Sequence, residues 1–292
     1  MTSPANPPTP SALSLTRLSL PRRSASTTVV YVVLLGVAVC FAAPFVWLLV
    51  ASVDAKATAS AAVPDPTLGN FSAVLNWSTS IRPILNSLLL CGGAALVNMV
   101  VSVFAAYPLS RYRLRFRRPL LYGVLFATGL PVTAIMVPVY ELFVRIELVD
   151  SLWGTMLFLA TATLPFSLWL TKGFMDGVPV SLEEAAWVDG ASGLQSLRHV
   201  VLPLMAPGMA VVAVFTFIGA WGNFFIPFVL LQSPEREPAA VSLFTFFGQY
   251  GTVAYGQLAA YSILYSLPAM LLYVLASRKL GGGFGLGGGL KG

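Results

Sequence analysis

Charge is what this sequence has least of. Only 10% of its 292 residues are Asp, Glu, Lys or Arg, against 57% hydrophobic. So small a polar fraction cannot cover a soluble globule of this length, which leaves lipid as the solvent. Cysteine and histidine are scarce too: the sequence holds only Cys40, Cys91 and His199. Both cysteines fall within long apolar runs and read as small packing residues, so neither a disulfide framework nor a metal centre is expected. His199 has no ligand partner nearby in sequence and reads as a surface residue. With so few nucleophiles, bases and ligands there is no convergent catalytic set, and no GxxxxGK[ST] phosphate loop occurs. No enzyme activity, cofactor or metal is expected on this chain.

What the sequence has in abundance is the long uncharged run. A bilayer core about 30 Å thick needs roughly 20 apolar residues per helical crossing. Six such runs stand out: Val29 to Ser52, Leu85 to Leu109, Leu120 to Val144, Leu152 to Leu170, Met205 to Leu231 and Leu258 to Leu275. Glu141 is the single charged residue inside them. An even number of crossings puts both termini on one side, and the distribution of Lys and Arg names that side. With the N-terminus cytoplasmic, only Lys56, Arg82, Arg145 and Arg236 of the 17 basic residues lie outside. The net charge of +6 is then a consequence of topology and contact with lipid headgroups, and no nucleic-acid partner is expected.

The expected fold is therefore all-α: a polytopic membrane protein with six transmembrane helices. Residues 1–26, rich in Ser, Pro and Thr, are expected as a disordered cytoplasmic tail. Residues 27–280 form the membrane domain and residues 281–292 a Gly-rich cytoplasmic tail. The first run is too long for a signal-peptide core and reads as an uncleaved span. Pro44, Pro131, Pro138, Pro165, Pro227 and Pro268 interrupt or border the runs. Such breaks are tolerated where neighbouring helices or a water-lined cavity satisfy the freed carbonyls, which suits a solute pathway and simple packing kinks alike.

One inner segment, residues 171–204, turns polar and acidic where a connector needs only a few residues. Ser181 and Glu184 have capping-box spacing, so a helix is expected from Leu182 to about Asp189, closed by a left-handed Gly190. That helix sets Leu182, Ala185 and Ala186 on one face with Glu183 flanking it. Ser192 is expected to cap a second short helix bearing Leu194 and Leu197, which Leu202-Pro203 turns toward the membrane. A helix resting on headgroups is the plainer alternative, but it would use a lysine-rich face and this one is acidic.

Glu184-Ala185-Ala186, Asp189-Gly190-Ala191-Ser192 and Val200-Val201-Leu202-Pro203 resemble the EAA motif of binding-protein-dependent ABC importer permeases in both composition and spacing. Asn86-Ser87, Ala105 to Arg111, Pro165-Phe166 and Ala220 to Phe224 extend the resemblance over most of the chain. The whole is similar to the smaller, six-span permease of carbohydrate importers of the maltose type. Gly222-Asn223, where an Asn-Glu pair is usual, and the Gly281-Gly282-Gly283 run depart from it.

The resemblance implies a type I ABC importer permease in the bacterial cytoplasmic membrane. It implies a second permease as heterodimer partner, a dimer of ATP-binding subunits holding ATP and Mg, and an extracytoplasmic solute-binding protein. It implies ATPase coupling through Glu183, Glu184, Ala185, Ala186, Asp189, Gly190, Leu202 and Pro203. Phe247, Gln249, Tyr250 and Gly251, in the last outer loop, are expected to meet the binding protein. Asn98, Ser102 and Asn223 are the candidate pathway residues, as polar groups within apolar runs. Each serves equally well as an interhelical hydrogen bond. A secondary transporter or channel is the competing class, but it would usually show coupled intramembrane charges or an internal repeat, and neither is clear.

Overall fold

The computed structural model describes residues 25–60, 63–247 and 253–280. The chain forms two compact units, residues 1–47 and 48–292. The first holds most of α1, Ala25–Ser52, a 28-residue helix without a charged side chain. An uncharged run of this kind becomes a helix in lipid because only then are all its backbone groups paired internally.

In the second unit the chain turns at Asp54, whose carboxylate accepts the N–H groups of Lys56 at 3.0 Å and Asp65 at 2.9 Å. A short helix, α2 (Gly69–Val74), and one π-helical turn, Trp77–Ile81, lead into α3, Arg82–Arg111. At 30 residues, α3 is about 45 Å long and reaches across a bilayer. There follow α4 (Arg117–Thr128), α5 (Val132–Arg145), α6 (Leu152–Asp176) and α7 (Val180–Val188). α8 (Gly193–Ser196), a π turn at Leu197–Val201 and α9 (Leu202–Leu204) make one helical stretch. The chain ends in α10 (Ala206–Trp221), α11 (Phe225–Leu230), α12 (Ala239–Thr245) and α13 (Tyr255–Leu280). No named strand occurs among the described residues.

Four helical segments are long and apolar enough to cross a membrane, and two bent pairs would bring the number to six if each is counted as one span. The third run was expected as one crossing over Leu120 to Val144. It breaks instead between α4 and α5, which meet at 94°. Gly129 ends the first helix, and Pro131, with no N–H to give, starts the second from an extended backbone. The fifth run, Met205 to Leu231, also divides. Its helix stops at Trp221, and α11 begins only after Gly222, Asn223 and Phe224. On its other side α10 meets the Gly193–Leu204 stretch at 79°, beside Pro207 near its first turn.

α3 lies along α6, and α10 packs against both. Close approach rests on small residues, as lipid-embedded helices require: a Cβ added at Gly93 would fall 2.1 Å from the sulfur of Met156, and one at Gly208 2.3 Å from Cγ of Phe174. Buried hydrogen bonds stitch the same interface. Asn98 Nδ2 donates to Thr163 Oγ1 at 2.7 Å, Thr171 Oγ1 to Ser102 Oγ at 3.0 Å, and Ser167 pairs with Thr216 at 2.9 Å. At the N-terminal end of α3, Asn86 Nδ2 donates to the carbonyls of Glu235 and Glu237, each at 3.0 Å, and Ser87 Oγ accepts the N–H of Ala239 at 2.8 Å.

Candidate functional site: the segment between α6 and α10

The segment from Val178 to Leu204 gathers at the C-terminal end of α3. α7 starts two residues earlier than its sequence suggests, at Val180 rather than Leu182, with Pro179 as its N-cap and no side-chain cap bond. The Ser181 and Glu184 capping box is therefore not formed. Pro179 enters the helix from an extended backbone and has no side-chain acceptor to offer the free N–H groups of the first turn.

The C-terminal end follows expectation. Gly190 has φ +88°, the N–H of Ala191 reaches the carbonyl of Ala186 at 2.9 Å, and the N–H of Gly190 that of Trp187 at 3.0 Å. These two bonds make a Schellman motif, which needs a left-handed residue at that position. Ser192 caps α8, with a reciprocal box to Gln195. Leu197, Val201 and Met205 then bury in one cluster with Val103, Ala106 and Met175, which seats the segment on α3 and α6.

Glu183 was expected beside the exposed face and instead points inward, fully buried. Its Oε2 accepts from Tyr107 at 3.0 Å and its Oε1 from Arg111 Nε. The Arg111 guanidinium also donates to the carbonyl of Val178 at 3.1 Å and to Ser110 Oγ at 3.1 Å. Ser110 in turn donates to Asp176 at 2.6 Å, and Asp176 is paired with Lys172. The side chains of Arg111 and Glu183 are 4% and 0% exposed. A charge so far from water is tolerable only when paired and hydrogen-bonded, and this pair is both. It ties α7 to α3 at one fixed point.

With Glu183 inward, the helical period turns Ser181, Glu184, Ala185, Val188 and Asp189 outward, and all five are exposed. Val188 is 88% exposed, and Leu194 on α8 adds 63%. Ala186 is half-buried and belongs to the inner side. Leu202 is half-buried, Pro203 exposed. The result is a rigid helix presenting small and apolar side chains flanked by two carboxylates. Sequence reading missed Tyr107 and Arg111 as the anchors. The available signal was that adjacent residues on a helix diverge by about 100°, so Glu183 and Glu184 cannot share a face.

The other candidates lie elsewhere. Asn98 and Ser102 are fully buried between α3 and α6 in the bonds described above. Asn223 sits in the break after α10, where its side chain accepts the N–H of Ile226 at 3.0 Å. Phe247 is exposed near Phe244. Gln249, Tyr250, Gly251 and the two tails at 1–24 and 281–292 lie outside the described residues.

Residues 98–282 match the family described as binding-protein-dependent transport system inner membrane component. The chain is 32% identical to the diacetylchitobiose uptake system permease protein DasC of Streptomyces coelicolor, over 67% of this chain and 71% of that one. It is 30% identical to the maltodextrin transport system permease protein MdxG of Bacillus subtilis, over 76% and 80%. In fold it matches a chain of a bacterial ABC transporter involved in alginate import, with a TM-score of 0.77 and 23% identity over 89% of this chain and 98% of that one. The chain therefore belongs to the binding-protein-dependent transport system inner membrane components: it is a membrane-embedded permease subunit of an ABC importer, not the subunit that hydrolyses ATP.

Proposed function

We propose that this permease forms half of the pathway for a carbohydrate and is driven by a separate ATPase docked on the outer face of α7. It stands in a bacterial inner membrane with both termini and α7 in the cytoplasm. It pairs with a second, different permease, and a dimer of ATP-binding subunits holds the ATP and Mg. Solute arrives on an extracytoplasmic binding protein. Relatives in diacetylchitobiose and maltodextrin uptake support the cargo class, and a fold neighbour solved as an alginate transporter with its sugar-loaded periplasmic protein supports the delivery route.

The observation that carries the coupling role is the pairing of a rigid inner anchor with a bare outer face. The buried Arg111 and Glu183 pair holds α7 on α3, while Glu184, Ala185, Val188 and Asp189 stay exposed. A helix so held moves with its span, and small residues let a partner backbone come close. Glu184→Lys reverses a charge on that face without touching a span. Uptake should be lost and the ATPase should no longer co-purify in mild detergent, with insertion of the permease unchanged. Full uptake with the ATPase retained would overturn the docking role.

A further inference from the structure

The turn between α3 and α4 carries the densest charge of the chain. From Arg111 to Arg118 the sequence reads Arg-Tyr-Arg-Leu-Arg-Phe-Arg-Arg. Two of these guanidiniums are committed to the protein: Arg111 to Glu183 and Arg117, at 4.0 Å, to Asp176. Arg113, Arg115 and Arg118 are exposed and form no ion pair among the described residues. Like charges so closely spaced repel one another, and an anion from outside the chain relieves that repulsion.

The residues between the arginines are apolar and also exposed: Tyr112, Leu114 and Phe116, the last at 72%. The same character continues along α4, where Leu120, Tyr122, Leu125 and Phe126 are exposed. Basic residues interleaved with aromatics at the end of an apolar helix match the headgroup level of a bilayer, where guanidiniums meet phosphate and rings meet the upper acyl chains. A soluble anion would answer the charge but leave Tyr112, Leu114 and Phe116 in water.

We propose that Arg113, Arg115 and Arg118 bind the phosphate of an anionic phospholipid in the cytoplasmic leaflet, and that this lipid steadies the anchor of α7. A guanidinium suits the first task because its planar fork takes two phosphate oxygens at once. The second follows from how the turn is fastened. Arg117 reaches Asp176 from one end of it, and Ser110 donates to Asp176 at 2.6 Å from the other. Arg111, which holds Glu183, also donates to Ser110 at 3.1 Å. Pinning the turn to the membrane therefore restricts α7 as well. This rests on the cytoplasmic placement of α7 above, which cysteine labelling from either side of the membrane reads separately.

The test uses the complete transporter, with its ATPase and binding protein, in nanodiscs of phosphatidylcholine alone or of phosphatidylcholine and phosphatidylglycerol in equal parts. Phosphatidylglycerol kept after gentle detergent extraction is counted by native mass spectrometry, and ATP hydrolysis stimulated by the binding protein is measured in both lipids. The parent should keep phosphatidylglycerol and hydrolyse severalfold faster in the mixed discs. Arg113→Gln/Arg115→Gln/Arg118→Gln should keep it roughly tenfold less or lower still, since each basic residue at an anionic surface favours contact by about fivefold. Its hydrolysis should be the same in both lipids. Arg113→Lys/Arg115→Lys/Arg118→Lys preserves the charge that sets topology but not the fork, and should regain part of the retention. Equal retention by the parent and the glutamine variant would overturn the site. Retention lost while hydrolysis still responds to phosphatidylglycerol would overturn the link to α7. A parent indifferent to lipid in both readouts would overturn the whole proposal without any variant. Inorganic phosphate that restores the parent's rate in phosphatidylcholine discs would make the ligand a free anion instead of a lipid, and a glutamine variant that loses the ATPase would assign the surface to that interface.

Discussion

Two carboxylates show how one residue type takes on different tasks in this chain. Glu183 is buried against Arg111 and Tyr107. Removing one member of such a pair leaves the other charged and unsolvated, at a cost of about 3–5 kcal/mol. Glu183→Met should therefore lower thermal stability in detergent strongly. Combining it with Arg111→Met should recover most of the loss, since apolar residues of similar volume replace a buried pair at little cost. A double variant as unstable as the single would show that the pair is not the source. Asp150 is more accessible. Partial burial pushes its carboxyl up, but hydrogen bonds from Ser233 and Gln232 and the nearby Arg236 pull it further down, to below the ordinary carboxylate value. Its unfolded value is about 3.9, so its stabilisation is complete above about pH 4 and is lost as pH falls through the lowered folded value. Asp150→Asn should flatten that acid limb of a stability profile; an unchanged limb would mean that other groups set it.

Among the elements, α7 was the most legible and its anchoring the least. Gly190 and the second capped turn follow from local chemistry, because each satisfies backbone groups within a few residues; the turn expected at Leu202-Pro203 does not form there, since the helical stretch runs on to Leu204 and bends before Ala206. The inward turn of Glu183 depends on Tyr107 and Arg111, more than 70 residues away in sequence; the local period separates Glu183 from Glu184 but does not say which of the two turns inward. The same contrast explains the spans. Hydropathy located the four unbroken apolar helices and the two bent regions, since lipid responds to the average apolarity of a run. It did not reveal the 94° break between α4 and α5, because an apolar residue scores alike in a straight helix and in a bent one. The Schellman cap also gives a local test. Gly190→Val forces a β-branched residue to φ +88°, at about 1–2 kcal/mol. Amides from Ala185 to Ala191 should then exchange with solvent faster, with the spans unaffected; equal exchange would place the strain elsewhere.

At the scale of the whole second unit, α3 connects two chemically different ends. Tyr107 and Arg111 hold the α7 segment at one, and Asn86 and Ser87 hold the loop before α12 at the other. A helix about 45 Å long, tied at both ends, cannot tilt at one without displacing the other, so an ATPase docked on α7 as proposed would move the far end of α3 as part of one rigid body. This arrangement requires the two ends to face opposite sides of the membrane. The basic residues divide accordingly: Arg111, Arg113, Arg115, Arg117 and Arg118 cluster at the α7 end, while Arg82 and Arg236 belong to the other. Single cysteines test it directly, because Cys40 and Cys91 both sit within spans. In intact cells, or spheroplasts where an outer membrane intervenes, Glu235→Cys should react with a membrane-impermeant maleimide. Glu184→Cys should react only after the membrane is opened. Labelling of Glu184→Cys from outside would invert the topology, and with it the assignment of α7 as the face that meets a cytoplasmic ATPase.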